Sequence, residues 1–318
     1  MIPYIKVPDL HLFHLGWLPL HPFGLLVATG VLIGTTLANR RARTRGFDLE
    51  QLNSFITWML VSGFISGHVL DEILYDPHRI VENPLSLLML WAGLGSFPGF
   101  VGAAIGVTLW KFFDYRAPVH GGRARFVRNR PARPILPFCD VILAVFPVAW
   151  VFGRSGCSSV HDHPGAVAAP HAPLAVGFPS PLPSITDGIG AHVPFGPITF
   201  IYGQYPRYDL GLLELMFTVI LASAFALTWR RQLPTGTYVA AACLAYSPVR
   251  FVMDFLRVEG VPGADPRYAG LTPAQWACTA MFSFGIVMTV YVRRLRAKGI
   301  DPADSLRARP TLVGVAAE

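Results

Sequence analysis

Ionisable side chains recur at fixed spacings inside and beside apolar segments of this 318-residue chain, and their types suit phosphate binding and proton transfer. Arg250, Asp254 and Arg257 stand at helical spacing and share one face. Arg154 lies between glycines in GRSGC at 153–157, where backbone amides can approach an anion beside the guanidinium. Arg154, Arg250 and Arg257 together make an expected lipid-phosphate clamp, because guanidinium offers paired donors to phosphate oxygens. Glu214 adds an acid early in another apolar segment. His68, Asp71 and Glu72 occupy i, i+3 and i+4, where a carboxylate can support an imidazolium. His161, Asp162 and His163 follow GRSGC directly, with Gly165 just beyond. Blander readings stand beside these. Asp254 with Arg257 also fits a solvated helix-end ion pair, the His68 face an interfacial polar cap, and one H-x-H is weak grounds for a metal.

The elements that position these groups follow from composition. Only 14% of the residues are charged and 53% are hydrophobic, whereas a soluble domain carries about a quarter charged. There is too little polar surface to coat a globule, so hydrocarbon is the expected solvent. Seven apolar segments are long enough to span, near 17–38, 51–72, 92–113, 135–152, 208–229, 236–256 and 273–292. The expected fold is thus all-α, one polytopic bundle of seven transmembrane helices over 1–318. Of the 26 Lys and Arg residues, 19 follow spans one, three, five and seven, and 7 lie on the other side. That asymmetry places the N-terminus outside and the C-terminus in the cytoplasm. It also explains the net charge of +7 as topology and excludes a nucleic-acid partner.

Smaller features complete the expectation. The N-terminus has neither a basic region nor a small-residue cleavage site, so it reads as an interfacial lead-in rather than a cleavable signal. Gly95, Gly99, Gly102 and Gly106 let a neighbouring helix approach span three closely. Residues 80–91 read as interfacial or re-entrant. The stretch 153–207, rich in Pro, Gly and His, is expected as a periplasmic cap, and 299–318 as a disordered cytoplasmic tail. Cys139, Cys243 and Cys278 sit in apolar runs as small hydrophobes; Cys157 alone has a polar, glycine-containing setting.

The segments carrying these residues resemble the bacterial prolipoprotein diacylglyceryl transferases. GRSGC at 153–157 followed by Gly165 is similar to the family signature. HPFGL at 21–25, GSFPG at 95–99, PRYDLGL at 206–212 with EL at 214–215, and RFVMDFLR at 250–257 resemble its spans one, three, five and six in order. The resemblance implies an enzyme of the bacterial plasma (inner) membrane with phosphatidylglycerol, membrane lipid and prolipoprotein signal peptides as its partners. It moves a diacylglyceryl group onto the lipobox cysteine thiol, and no cofactor or metal is implied. Arg154 and Arg250 match the family's arginines and Glu214 its span-five acid. Asp254 and Arg257 match its following acid–arginine pair, and Gly165 the glycine that closes the signature. Gly156 and Cys157 fall within the implied lipid-binding segment.

The chain also departs from the family pattern. Pro98 stands where the family has His, Phe23 where it has Tyr, and His68 replaces an arginine in span two. Cys157 stands where Asn or Cys is usual, and residues 208–211 have lost a His-Pro-Ser-Gln-like stretch. The expected catalytic set is therefore Arg154 and Arg250, with a base relocated to His68, His161 or His163 and Asp162 among its neighbours. A paralogue that binds phospholipid or lipoprotein precursor without transfer, and a metal-binding protein or transporter, remain as alternatives. Polar groups crowding one side, rather than lining a path through the midplane, argue against transport.

Overall fold

The computed structural model describes residues 1–7, 14–15, 18–19, 22–75, 77–89, 95–116, 125–170, 172–181, 190–196, 198–258 and 267–306. Its helices are α1 (Pro22–Thr44), α2 (Leu49–Tyr75), α3 (Pro77–Glu82), α4 (Ser96–Phe112), α5 (Leu136–Val160), α6 (Leu210–Leu227), α7 (Thr237–Met253) and α8 (Pro273–Ala297). Five of them, α1, α5, α6, α7 and α8, are long and apolar enough to cross a membrane. The other two expected spans coincide with α2 and α4. The latter has 17 residues, and residues 90–94 before it lie outside the described set. Large apolar side chains stay exposed on these helices, Ile220 and Leu32 among them. In water such surface would be costly; in hydrocarbon it is not.

Local sequence explains where the helices begin and end. Pro22 opens α1 at a position where its missing N–H costs nothing, and Arg41 and Arg43 close it against the negative end of the helix dipole. Asp209 caps α6 by accepting from Leu212 N. Thr272 and Gln275 form a reciprocal capping box at the start of α8, with Pro273 following the cap.

Contacts divide the chain into two compact units. The first holds Met1–Ala38 and Ile142–Lys298, the second Asn39–Val141 and Gly299–Glu318. In the second unit α4 lies against α2. Side chains at Gly102 and Gly106 would collide with Ser62, Ser66 and Trp58 backbone or Cβ atoms, so the expected close approach is real and its partner is α2. Trp110, Phe55 and Phe138 form an aromatic cluster there, with ring centroids 5.1–5.6 Å apart. Residues 84–88, within the stretch expected to be interfacial, form a 3-10 turn.

The all-α expectation needs correction. A six-stranded sheet is present, in the order β6-β10-β7-β1-β9-β8. Its strands are β1 (Ile2–Lys6), β6 (Pro164–Val167), β7 (Ala175–Phe178), β8 (Gly190–Phe195), β9 (Ile198–Gly203) and β10 (Tyr205–Asp209). Two-stranded ladders join β2 (His14–Leu15) with β3 (Leu18–Pro19), and β4 (Phe113–Arg116) with β5 (Arg125–Arg128). The N-terminal lead-in becomes an inner strand of the larger sheet, parallel to β7 and antiparallel to β9. Strand pairing satisfies backbone groups of β6, β7, β8, β9 and β10, which a helix could not do for so proline-rich a stretch. Tyr4, Val176, Phe178 and Ile201 form the sheet's own buried cluster.

A second correction concerns α5. It runs eight residues past the expected end, so GRSGC is helical rather than the opening of a loop. Its amides belong to the helix ladder, and any anion there is met by side chains instead of a backbone nest.

Candidate functional site

Three helices of the first unit bring the predicted arginines and acids together. Arg154 near the end of α5, Glu214 in the second turn of α6 and Arg250 near the end of α7 form a buried cluster. Arg154 is 5% and Glu214 4% exposed. Arg154 Nε lies 2.9 Å from Glu214 Oε1, off the line of a good hydrogen bond, so the contact is an ion pair. Arg250 Nε is 3.9 Å from Glu214 Oε2, while its Nη1 donates to Asp254 Oδ1 at 2.6 Å. Arg257 Nε lies 3.3 Å from the same Asp254 oxygen, and Thr272 Oγ1 donates to the other. The shared face expected for Arg250, Asp254 and Arg257 is thus formed, and Asp254 is fully buried at its centre.

Sequence reasoning missed two aromatic residues in this cluster. Trp150 Nε1 donates to Glu214 Oε1 at 3.3 Å, and its ring lies under the Arg154 guanidinium, 4.8 Å from centroid to Cζ. Tyr246 donates to the same carboxylate oxygen at 2.5 Å. Trp150 stands four residues before the arginine it stacks on, so the i, i+4 rule applied to aromatic residues finds it, whereas Tyr246 reaches Glu214 from a different helix. Arg154 and Arg250 converge on the single carboxylate of Glu214, and such paired guanidiniums can also receive the oxygens of a phosphodiester.

The neighbouring groups differ in character. Cys157, one turn beyond Arg154, places Sγ 3.6 Å from Arg154 Nη1. A ring nitrogen of His163, a carboxylate oxygen of Asp162 and Cys157 Sγ lie within 4.8 Å of one another. His163 Nδ1 hydrogen-bonds Asp162 Oδ1, and both side chains are partly open to solvent. Thiol, imidazole and carboxylate could ligate a soft cation, but that cation would sit against the Arg154 guanidinium. As an acid–base pair beside an anion site the arrangement has no such conflict.

The glycines set backbone distances. Gly165 forms an isolated bridge with Arg257, and its absent Cβ would fall 2.8 Å from Leu256 O and from Tyr208 O. A Cβ on Gly156 would lie 2.7 Å from a ring carbon of Phe23, so α1 passes directly over α5 there. His161 faces the sheet instead. Its ring is buried against Tyr4, hydrogen-bonded to Asp209 through Nδ1 and to Ile5 O through Nε2. His68 belongs to the second unit, fully buried, with Nε2 donating to Ser86 O at 2.8 Å. Glu72 beside it pairs with Arg79 at 2.9 Å and accepts from Ser86 Oγ.

The family model described as prolipoprotein diacylglyceryl transferase matches residues 10–291. The chain belongs to the prolipoprotein diacylglyceryl transferase family. Relatives named phosphatidylglycerol--prolipoprotein diacylglyceryl transferase are similar to it along nearly their whole length. That of Erwinia tasmaniensis is 24% identical over 298 residues, covering 92% of this chain and 96% of its own. That of Proteus mirabilis is 25% identical over 300 residues, covering 92% and 95%. That of Janthinobacterium is 24% identical over 296 residues, covering 91% and 97%. This family member is thus a multi-pass membrane transferase by its family and its apolar helices.

Proposed function

We propose that this chain transfers the diacylglyceryl group of phosphatidylglycerol to the lipobox cysteine thiol of prolipoprotein signal peptides. The observation that carries the reading is the Arg154–Glu214–Arg250 cluster, in which two guanidiniums converge on one buried carboxylate. In this reading the acceptor thiol gives its proton to His163 Nε2, whose ring is oriented by Asp162 through Nδ1. The thiolate attacks the glyceryl carbon, forming the thioether C–S bond. The C–O bond to phosphate breaks, its electron pair stays on the phosphate oxygen, and glycerol phosphate leaves. Arg154 and Arg250 hold the phosphodiester and offset the charge that grows on it. Arg257 and Asp254 fix Arg250, and Gly156, Cys157 and Gly165 shape the wall. This gives the base that Pro98 no longer supplies to His163, and leaves His68 to the Ser86–Glu72 network of its own unit.

The same reading adopts seven spans, with N-terminus outside and C-terminus in the cytoplasm of the bacterial inner membrane. Its support is the 19-to-7 distribution of Lys and Arg. The sheet with its β1 strand then forms the periplasmic cap.

The test is expression in a bacterium depleted of its own transferase, with mass spectrometry of a reporter prolipoprotein. Diacylglyceryl addition is expected, and Arg154→Ala abolishes it. Unmodified reporter despite normal membrane levels of the protein overturns the reading. Reporter fusions at the two termini check the orientation.

A further inference from the structure

His161 is the first residue after α5 and adopts φ +49°, a left-handed conformation that histidine enters more readily than most side chains. Four contacts hold it there. Its ring stacks on Tyr4 at 3.9 Å with planes 22° apart, and meets Phe178 edge-on at 5.8 Å. Nδ1 faces Asp209 Oδ2, and Nε2 faces Ile5 O at 3.0 Å. A carbonyl oxygen only accepts, and so does an ionised carboxylate. Both ring nitrogens are thus engaged by acceptors of the fold, and neither is open to a thiol. His161 is placed to hold, not to act as base.

What it holds bears on the arginine cluster. Asp209 Oδ1 accepts from Leu212 N at 3.0 Å, so the carboxylate that grips His161 also caps the helix carrying Glu214. Leu210 N donates to His163 O at 3.0 Å. Gly211 lets α6 lie backbone to backbone on α5: its absent Cβ would stand 3.2 Å from Cys157 C and Ser158 N. One imidazole thus joins the end of the Arg154 helix, the start of the Glu214 helix and the N-terminal strand.

We infer that the His161–Asp209 pair, clasped by the N-terminal strand through Tyr4 and Ile5, is a positioning device that sets the α5–α6 register and thereby the Arg154–Glu214 contact. The inference rests on the phosphate-binding reading of that contact. Burial and the Asp209 charge push the Tyr4 phenol up to about 12, in keeping with a dry strand laid on an acid.

The test uses the full chain in phosphatidylcholine vesicles containing graded phosphatidylglycerol. His161→Gln keeps one donor. Asp209→Ser keeps an N-cap for α6 but loses the imidazole bond. Rates per folded molecule should show the KM for phosphatidylglycerol raised about tenfold in both variants. The fall in kcat should be smaller and the pH–rate profile unmoved, and the double variant should be little worse than either single. Unchanged KM and kcat per folded molecule would reduce the pair to a fold-stabilising contact and overturn the inference. So would collapse of kcat with loss of a limb of the pH profile, which marks a base. A second readout needs no turnover: phosphatidylglycerol should shield Cys157 from alkylation, followed peptide by peptide, with half-protection shifted about tenfold upward in both variants. Wild-type shielding without wild-type transfer would count against the enzymatic reading alone, while equal shielding in wild type and variants would count against the positioning pair.

Discussion

Arg154 Nε and Glu214 Oε1 stand 2.9 Å apart with both side chains about 95% hidden, so neither charge can be lost without stranding the other. A buried ion stripped of its partner costs about 3–5 kcal/mol, far more than a surface pair is worth. Glu214→Gln keeps the shape and removes the charge. The variant should melt at a clearly lower temperature in detergent and lose most of its transfer activity, with Glu214→Asp between the two. Calorimetry and a mass-shift assay on a lipobox peptide check both halves.

Arg154→Lys separates charge from geometry. Lysine keeps the positive charge but offers no planar fork, and it loses the stacking on Trp150. Transfer is expected to fall by about 10²–10³-fold, the loss seen when one donor to a developing oxyanion is removed. Activity close to wild type would mean that simple charge suffices at this position.

The proposed base can be probed apart from the arginines. His163→Gln should lower kcat by about 10²–10⁴-fold and flatten the acidic limb of the pH–rate profile. Asp162→Asn should act in the same direction more weakly, because it only orients the ring. His68→Gln, in the other unit, should leave the profile's shape intact.

The N-terminal strand carries its own pH signature. Tyr4 has its folded pKa raised from 10.0 to about 12, so the folded state retains the phenol proton more tightly than the unfolded chain. Its contribution is complete below about pH 10 and is lost as pH rises towards about 12. Alkaline difference absorbance between wild type and Tyr4→Phe should show one tyrosine ionising late, with loosening of the sheet over the same range. Tyr4→Phe should remove that component.

Packing of α4 on α2 makes a further prediction. Gly102→Ala and Gly106→Ala force the helices apart and should cost about 1–3 kcal/mol each, read as a lower thermal midpoint in detergent. Gly24→Ala in α1, with nothing within 4 Å of the new methyl, should be neutral or slightly stabilising.

By itself the sequence determined the hydrocarbon solvent, the approximate helices and the residue types of the arginine–carboxylate cluster. Those depend on local physics: the apolar length needed to span, the basic residues that flank each segment, and the i, i+4 and i+7 spacing that puts Arg250, Asp254 and Arg257 on one face. The α4 glycines were readable for the same reason, since a stripe of small residues has one use between helices. Their partner α2 was not. Only the tertiary structure decided that Glu214 meets Arg154 across 60 residues of chain, that residues 2–6 enter a sheet built mostly from 164–209, and that one histidine of the H-x-H is sealed against Tyr4 while the other stands beside Cys157. Strand pairing between distant segments leaves almost no mark on either partner. A histidine's role likewise follows from which of its nitrogens is left with a lone pair, and the fold alone assigns that.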